Sequence, residues 1–234
     1  MSLAQARKDL RSHADKQKAA FFPAFFKTGK GEYGEGDKFL GVTVPQNREV
    51  AKKYLGLSLK DIDTLLKSSW HEDRLLAVII LTEQFARGDQ AQNKRIFDFY
   101  LAHTERINNW DLVDASADRI VGAYLMGKDL RVLDRLAESK LIWERRIAMI
   151  ATHQFTKSGD PKPALHIAEL LLEDDHDLMH KAVGWMLREV GKRCSEAELE
   201  RFLKRHLKRL PRTTLRYAIE RFPEAKRRGY LAKS

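Results

Sequence analysis

The strongest constraint on the fold is a faint repeat of helical segments along the chain. Three stretches, EDRLLAVII, ERRIAMI and MHKAVGWM, resemble one helix start used again. Matching positions follow at intervals of 36, 36 and 35 residues: Arg74, Trp110, Arg146 and Lys181. A period of roughly 35 to 40 residues is typical of stacked helix pairs, because one pair cannot bury its apolar face alone. The repeat therefore favours a solenoid, whose concave side would offer a large binding surface.

The apolar periodicity predicts the same fold class. Apolar residues recur at three- and four-residue spacing, and the alternation typical of strands is nearly absent. Two stretches show the pattern best: Leu65, Leu75, Leu76, Ile79, Ile80 and Phe85, and then Ile142, Ile147, Ile150, Ala151 and Phe155. We expect an all-α protein, a curved solenoid of antiparallel helix pairs. We expect one domain, 1–234, that ends in a basic C-terminal region, 192–234.

The amino-acid composition limits the cellular location that we expect for such a chain. Hydrophobic residues make up 43% and charged residues 32%, which is typical of a soluble folded protein. No apolar run approaches the roughly 20 residues that span a membrane, and the N-terminal residues carry no apolar signal segment. Cys194 is the only cysteine, so no internal disulfide can form. We expect a cytoplasmic monomer that does not associate with membranes.

The net charge of +10 is unevenly distributed along the chain. The C-terminal region, 192–234, holds 14 Lys and Arg against 5 Glu, a net charge of +9. A polyanion is the partner that such a region predicts, and nucleic acid is the foremost candidate. The alternative is a basic tail that serves only solubility.

Two short motifs suggest cofactors that their surroundings do not support. GKGEYG, residues 29–34, matches the glycine pattern of dinucleotide-binding loops, but no strand precedes it and no helix follows directly. We interpret it as a loop between helices. His176 and His180 are four residues apart and could form half of a metal site. We prefer a helix start in which Asp175 or Asp177 is the cap and both histidines are exposed. We therefore predict no metal and no cofactor.

The stretch NNWDLVD, residues 108–114, begins a helix that Asn108 or Asn109 can cap. Its buried stripe should contain four apolar residues: Val113, Ala117, Ile120 and Tyr124. At about 100° per residue, Trp110 and Asp114 then lie one turn apart on the border of the apolar face. Asp111 and Asp118 should point further out into solvent.

A second helix carries an aromatic residue among cations. In LMHKAVGWMLREVGK the apolar stripe comprises Ala182, Val183, Met186, Leu187 and Val190. An adjacent stripe holds Lys181, Trp185, Arg188 and Lys192 at spacings of 4, 3 and 4. This arrangement suits a phosphate backbone with a flat group to contact nearby. The alternative is a Trp at the edge of the core with solvated basic neighbours.

Four stretches together resemble the AlkD-type DNA alkylation repair glycosylases: GEYGEGDKFLGVTVPQNR, NNWDLVD, WERRIAM and HKAVGWMLRE. The resemblance runs from about residue 20 to about residue 220, in the expected order. It implies a solenoid of HEAT-like repeats that binds duplex DNA in a basic concave cleft. It also implies an enzyme of base excision repair that removes N3- and N7-alkylated purines.

The resemblance also implies roles for individual residues. Asp114 would be the catalytic carboxylate, Trp110 and Trp185 the aromatic walls beside the lesion's deoxyribose, and Arg146 a contact to the DNA backbone. Helix geometry extends the DNA contacts to three further cations: Lys181, Arg188 and Lys192. The alternative is a HEAT-like DNA-binding or scaffold protein without catalysis. A scaffold has no need of Asp114 together with both Trp residues, so we favour the enzyme.

Overall fold

The computed structural model describes residues 2–232, and within them the secondary structure is helical, with no strand. The first helices are α1 (Leu3–Ser12), α2 (Lys16–Phe25), α3 (Val44–Lys53), α4 (Leu59–Leu66), α5 (His71–Arg87), α6 (Gln90–Leu101) and α7 (Trp110–Ala117). A 3-10 turn, Thr104–Arg106, precedes α7, and a π-helical turn, Asp118–Gly122, follows it.

The remaining helices are α8 (Ala123–Leu125), α9 (Arg131–Ala137), α10 (Ile142–Ala151), α11 (His153–Lys157), α12 (Lys162–Leu170), α13 (Asp177–Arg193), α14 (Glu196–His206), α15 (Arg212–Ala218) and α16 (Glu224–Leu231). The prediction of an all-α protein is confirmed. None of the helices in residues 2–232 combines the length and apolar character needed to cross a bilayer.

The chain packs as two compact units, one up to Ile120 and one from Val121 onward. The single domain expected over residues 1–234 stays a prediction. In the first unit α5 lies at the centre and packs against α3, α4 and α7. In the second unit α13 has the same place and packs against α10, α12, α14 and α15.

Helix α5 is buried almost all round, which explains its nearly continuous apolar sequence. Its first turn is unusual because four consecutive ionisable residues there are also buried: His71, Glu72, Asp73 and Arg74. Burying a charge is costly unless it is paired or hydrogen-bonded, so each of these side chains needs a partner. Those partners come from distant parts of the first unit.

Glu72 holds the loop that leads into α3. Its carboxylate accepts hydrogen bonds from the backbone N–H groups of Leu40, Gly41 and Val42, at 2.8 to 3.2 Å. Gly41 has φ +82°, and a Cβ there would lie 2.1 Å from the carbonyl oxygen of Asp15. Glycine is therefore required at this turn, and Glu72 satisfies the donors that the turn leaves without a helix or strand partner.

Asp73 fastens α1 to α5. Its fully buried carboxylate lies 3.1 Å from the Arg11 guanidinium and 3.4 Å from that of Arg7. The Ser68 hydroxyl donates a third bond at 2.8 Å. Two acids in the first turn of α5 also interact favourably with its helix dipole. The charged start of α5 thus connects segments more than 60 residues apart in sequence.

In the second unit the apolar stripe of α13 is buried as predicted, with exposures of 0 to 1% for its five members. The glycine that precedes Trp185 has a packing role. A Cβ on Gly184 would lie 2.5 Å from the Tyr217 Cβ and 2.6 Å from the Thr214 carbonyl oxygen. Only glycine lets α15 approach α13 this closely, and that approach sets the position of the helix carrying Trp185.

Candidate active site

One of the two residues predicted to cap the start of helix α7 does so. The cap is Asn109, whose buried side chain accepts the Trp110 N–H at 2.8 Å. Val113, Ala117 and Ile120 are fully buried, which confirms the predicted phase of the helix. The fourth member of the expected stripe, Tyr124, is only half-buried. The π-helical turn between them explains this, because it inserts extra backbone and shifts the helical phase.

Trp110 and Asp114 are both half-buried on α7, one turn apart. The Trp110 ring stacks on Phe26 at a centroid distance of 5.5 Å and meets Phe25 edge-on at 5.8 Å. Phe25 itself is 50% exposed. The indole is therefore held by aromatic neighbours on the inner side and stays accessible on the margin of the helix.

Asp111 and Asp118 do not point into solvent, so that expectation was wrong. Asp118 is 7% exposed, and the Asp111 side chain is 10% exposed. The Asp111 Oδ2 lies 2.8 Å from the His71 Nε2. For Asp111 the physical reason is the start of α5, which packs against this side of α7. Helical phase along α7 alone does not reveal such a neighbour.

His71 is a buried cation between two carboxylates. Its Nδ1 lies 3.1 Å from the Asp37 Oδ2, opposite the bond to Asp111, and its ring packs against both Phe26 and Phe39. Burial by itself lowers the pKa of His71, but the charge and hydrogen bond of Asp111, with the bond to Asp37, raise it to about 9. The ring is therefore protonated at neutral pH and fixes the first turn of α7.

Asp37 receives a second cation from the same turn of α5. The Arg74 guanidinium donates to Asp37 at 2.6 Å and to the Ser68 carbonyl oxygen at 2.9 Å. Burial raises the pKa of Asp37, but the hydrogen bond from His71 and the charge of Arg74 outweigh it, and the pKa lies below its usual value. The four groups form a chain from Arg74 through Asp37 and His71 to Asp111 on α7.

The inner face of α7 is tied to α6 through a buried phenol. The Tyr100 hydroxyl lies 2.8 Å from the Ser116 Oγ, which donates to the Leu112 carbonyl oxygen at 2.6 Å. Burial raises the pKa of Tyr100, and the negative charges of Asp118 and Asp114 raise it further. The phenol is thus neutral and serves as a fixed hydrogen-bonding anchor for the helix.

On α13 the Trp185 ring is half-buried, and the His153 ring lies 6.0 Å from it between centroids. Next to them is the buried carboxylate of Glu189, which accepts from the Arg193 Nε at 2.6 Å. Burial raises the pKa of Glu189, but the hydrogen bond and charge of Arg193 outweigh it and lower the pKa. Trp185 therefore lies beside an ion-paired group within the second unit.

The basic stripe of α13 is largely paired with acids. Lys181 lies 2.6 Å from the Asp177 carboxylate, and Arg188 forms an ion pair with Glu220. Lys192 is exposed, and within the described chain no carboxylate lies within ion-pair distance of it. The DNA contacts of all three cations stay a prediction, and Lys192 is the one best placed to accept a new anion.

Arg146 is 5% exposed and donates to the Leu178 carbonyl oxygen at 2.8 Å. Its neighbour Arg145 pairs with Asp174 at 2.6 Å. Both arginines thus attach α10 to the segment that begins α13. The contact of Arg146 with the DNA backbone stays a prediction. In the structure its guanidinium already bonds to the first turn of α13, the helix that carries Trp185.

The C-terminal basic region is also partly neutralised by ion pairs. Six of its cations lie within 4.0 Å of a Glu carboxylate: Arg193, Arg201, Lys204, Arg209, Lys226 and Arg228. Exposed cations of the described region without such a pair are Lys192, Arg205, Lys208, Arg216 and Arg221. The number of cations available to bind a polyanion is therefore smaller than the net charge of this region suggests.

His176 and His180 have structural partners at the start of α13. The His176 Nδ1 caps the helix by accepting the Leu178 N–H at 3.1 Å, and the His180 Nε2 donates to the Asp174 carbonyl oxygen at 2.5 Å. The expectation of an Asp175 or Asp177 cap with both histidines exposed was wrong, because His176 is the cap and both rings are half-buried. Across residues 2–232, no group of three or more His, Cys, Asp or Glu side chains could hold a metal ion.

The sequence interpretation overlooked the polar start of α5. One signal was available: HEDR, four consecutive ionisable residues, directly precedes the apolar run LLAVIIL in the same helix. Such residues in a buried helix must find partners. The identity of those partners was not readable, because Asp37 and Asp111 lie 34 and 40 residues from His71.

The profile of a protein family described as DNA alkylation repair enzyme matches residues 6–222. The chain belongs to this family. Family membership gives it a role in the repair of alkylated DNA, and it confirms the resemblance seen in the four sequence stretches. No curated protein matches the chain.

Two solved structures of the same kind share the fold. A predicted DNA alkylation repair enzyme from Enterococcus faecalis superposes with a TM-score of 0.69 at 16% identity, covering 91% of this chain and 98% of that one. AlkD2 from Streptococcus mutans superposes with a TM-score of 0.54 at 18% identity, covering 89% and 99%. At these identities the likeness shows the all-helical fold that the family members have in common.

Proposed function

We propose that this family member is a DNA glycosylase of base excision repair. It hydrolyses the N-glycosidic bond of N3- and N7-alkylated purines in duplex DNA. The observation that carries the proposal is the pairing on α7 of a half-buried carboxylate, Asp114, with a half-buried indole, Trp110, one turn away. Family membership supplies the class of damaged DNA, and the helix supplies residues suited to the chemistry.

Hydrolysis of the N-glycosidic bond of an alkylated purine requires few catalytic groups from the protein. Alkylation at N3 or N7 gives the purine a positive charge, so the base can leave without being protonated. The sugar then develops oxocarbenium character, which a nearby carboxylate stabilises. In this proposal Asp114 supplies that negative charge and orients the attacking water. No general acid is needed.

The aromatic residues suit a cationic substrate. An indole face attracts positive charge through its quadrupole, and the effect grows when water is excluded. Trp110 is kept in one orientation by Phe25 and Phe26, so it can offer a fixed surface to the deoxyribose of the lesion. Trp185 is proposed as the second aromatic wall, with Arg146, Lys181, Arg188 and Lys192 as contacts to the DNA backbone.

The direct test is incubation with duplex DNA that contains N7-methylguanine, followed by an assay for the free base and for the resulting abasic site. We expect release of the free base, with the strand left intact. Binding of the same duplex without release of the base would instead identify a DNA-binding homologue that lacks catalysis. Absence of both binding and release would favour a scaffold.

DNA binding should depend strongly on salt and little on sequence. The cations without acidic partners, such as Lys192 and Lys208, contact phosphates and release counterions, so the logarithm of affinity falls with the logarithm of salt concentration. The test is fluorescence anisotropy with unmodified duplexes of different sequence between about 50 and 200 mM salt. Equal affinity across that range would contradict the proposed basic DNA-binding surface.

Base release should not require a metal ion. No described cluster of side chains could hold one, and the proposed reaction needs only a carboxylate and water. We expect the same rate of N7-methylguanine release before and after extensive treatment with a chelator. A rate that the chelator abolishes and a divalent cation restores would direct attention back to His176 and His180.

A further inference from the structure

A cleft of 130 Å³ in the first unit gathers three cations beside the helix of the candidate site. Arg48 and Lys52 line it from α3, and Arg119 lines it from the π-helical turn after α7. Ile79 and Thr82 line it from α5. The space equals that of a few water molecules at roughly 30 Å³ each, so a phosphate group can enter.

Local structure explains why the cations converge. Helix α3 buries Asn47, Val50 and Ala51, which leaves Arg48 and Lys52 exposed and one turn apart. On the other side, Ala115 lines the cleft with a methyl group only, so the space in front of the two cations stays open. Arg119 is exposed one turn further along the chain.

The three cations have no acidic partner in the chain. In residues 2–232 none of them lies within ion-pair distance of a carboxylate. Glu83 is the one acid that lines the cleft, and its carboxylate lies 3.1 Å from the Arg87 guanidinium. This differs from the C-terminal region, where six cations are paired. Adjacent cations without an acid repel one another, and an anion in the cleft would relieve that repulsion.

We infer that Arg48, Lys52 and Arg119 form a phosphate-binding site that holds the backbone of the DNA strand. The inference rests on the proposed function, because Asp114 acts on DNA only if a strand runs along α7, and Ala115 in the cleft is the next residue. Two guanidinium groups can each donate two parallel hydrogen bonds to phosphate oxygens, and Lys52 adds a point charge. The partner is therefore a sugar-phosphate backbone, recognised without reference to base sequence.

The test compares two variants with equal changes in net charge. One carries Arg48→Gln, Lys52→Gln and Arg119→Gln. The control carries Lys8→Gln, Lys60→Gln and Arg95→Gln, three exposed cations of the first unit that lie outside the cleft. Affinity for an unmodified duplex is measured by anisotropy over a range of salt concentrations, and thermal unfolding verifies that both variants are folded.

We expect the cleft variant to bind DNA about tenfold or more weakly than the control, with a salt slope lower by about 2 to 3, since each phosphate contact contributes about 0.9. Equal affinities and slopes for the two variants, in a wild type that binds DNA and releases base, would overturn the cleft assignment alone. A wild type that binds no DNA would overturn both the cleft assignment and the glycosylase proposal.

Discussion

Replacing Asp114 with Asn is expected to lower the single-turnover rate of N7-methylguanine release by about a hundred-fold or more. Asn is nearly isosteric with Asp and can hydrogen-bond at the margin of α7, so stability and most of the DNA affinity should remain. It lacks the negative charge that a cationic sugar needs in the transition state. Some release should persist, because N7-alkylguanine leaves slowly without a catalyst.

A matched control must be an exposed acid of the same unit. Asp111 does not qualify, because its side chain is bonded to His71 and its replacement would disturb the start of α7. Glu105 does: it is exposed in the 3-10 turn before α7 and has no ion pair within the described chain. Glu105→Gln should release base at the wild-type rate. An active Asp114→Asn variant would remove the central residue from the proposal.

The two aromatic variants should show smaller losses than Asp114→Asn. Trp110→Ala and Trp185→Ala each remove one proposed wall and leave the carboxylate in place. Single-turnover release should therefore fall less in each of them than in the Asp114 variant. If either Trp variant released base as slowly as Asp114→Asn, that indole would have a role in catalysis beyond contact with the sugar.

Replacing His71 with Gln is expected to lower the free energy of unfolding by about 3 to 5 kcal/mol near pH 6.5, because it leaves two buried carboxylates without their shared cation. The effect should depend on pH. The pKa of His71 rises from 6.5 in the unfolded chain to about 9 in the folded one. Its contribution is thus complete below about pH 6.5 and is lost as the pH rises through about 9. Unfolding in urea from pH 6 to pH 10 measures this.

Comparing the wild type with His71→Gln separates the contribution of His71 to the pH dependence from that of other groups that titrate at high pH. The groups that face it are Asp37, Asp111 and, through Asp37, Arg74. Wild type should lose on the order of 3 kcal/mol more than His71→Gln across this range, since one pKa unit corresponds to about 1.4 kcal/mol. His13→Gln, in which the lost ring has no hydrogen bond or ion pair among the described residues, should follow the wild type. Parallel pH profiles for all three proteins would contradict a buried cationic His71.

The helices and their buried faces could be predicted because periodicity is a local property. The stripes of α7 and α13 are buried where the 3.6-residue repeat placed them, apart from Tyr124 beyond the π-helical turn. The same argument located Trp110, Asp114 and Trp185 at helix margins, where the side chains are half-buried. A side chain's angle around its own helix follows from its neighbours in sequence, and no distant segment is needed to compute it.

The partners that charged residues find in distant parts of the chain were decided by tertiary structure alone. Asp111 has the helical angle of a solvated residue, yet α5 packs over it and His71 neutralises it. In the basic C-terminal region, Arg209 and Lys226 pair with Glu carboxylates that are distant in sequence. The other four paired cations have a Glu three or four residues away: Arg193, Arg201, Lys204 and Arg228. The cleft between α3 and the end of α7 has the opposite character, since none of its three cations is ion-paired and its one acid, Glu83, pairs with Arg87.

The physical reason is that helix formation depends on residues close in sequence, whereas ion pairing can join residues at any separation. Backbone hydrogen bonds and the apolar stripe of a helix join residues three or four positions apart, so sequence determined the helices, their buried faces and the family resemblance. An ion pair joins any two charges that packing brings within about 4 Å. His71 and Asp111 are 40 residues apart, and Arg11 and Asp73 are 62 apart. Which charges are neutralised by distant partners was settled only when the helices packed.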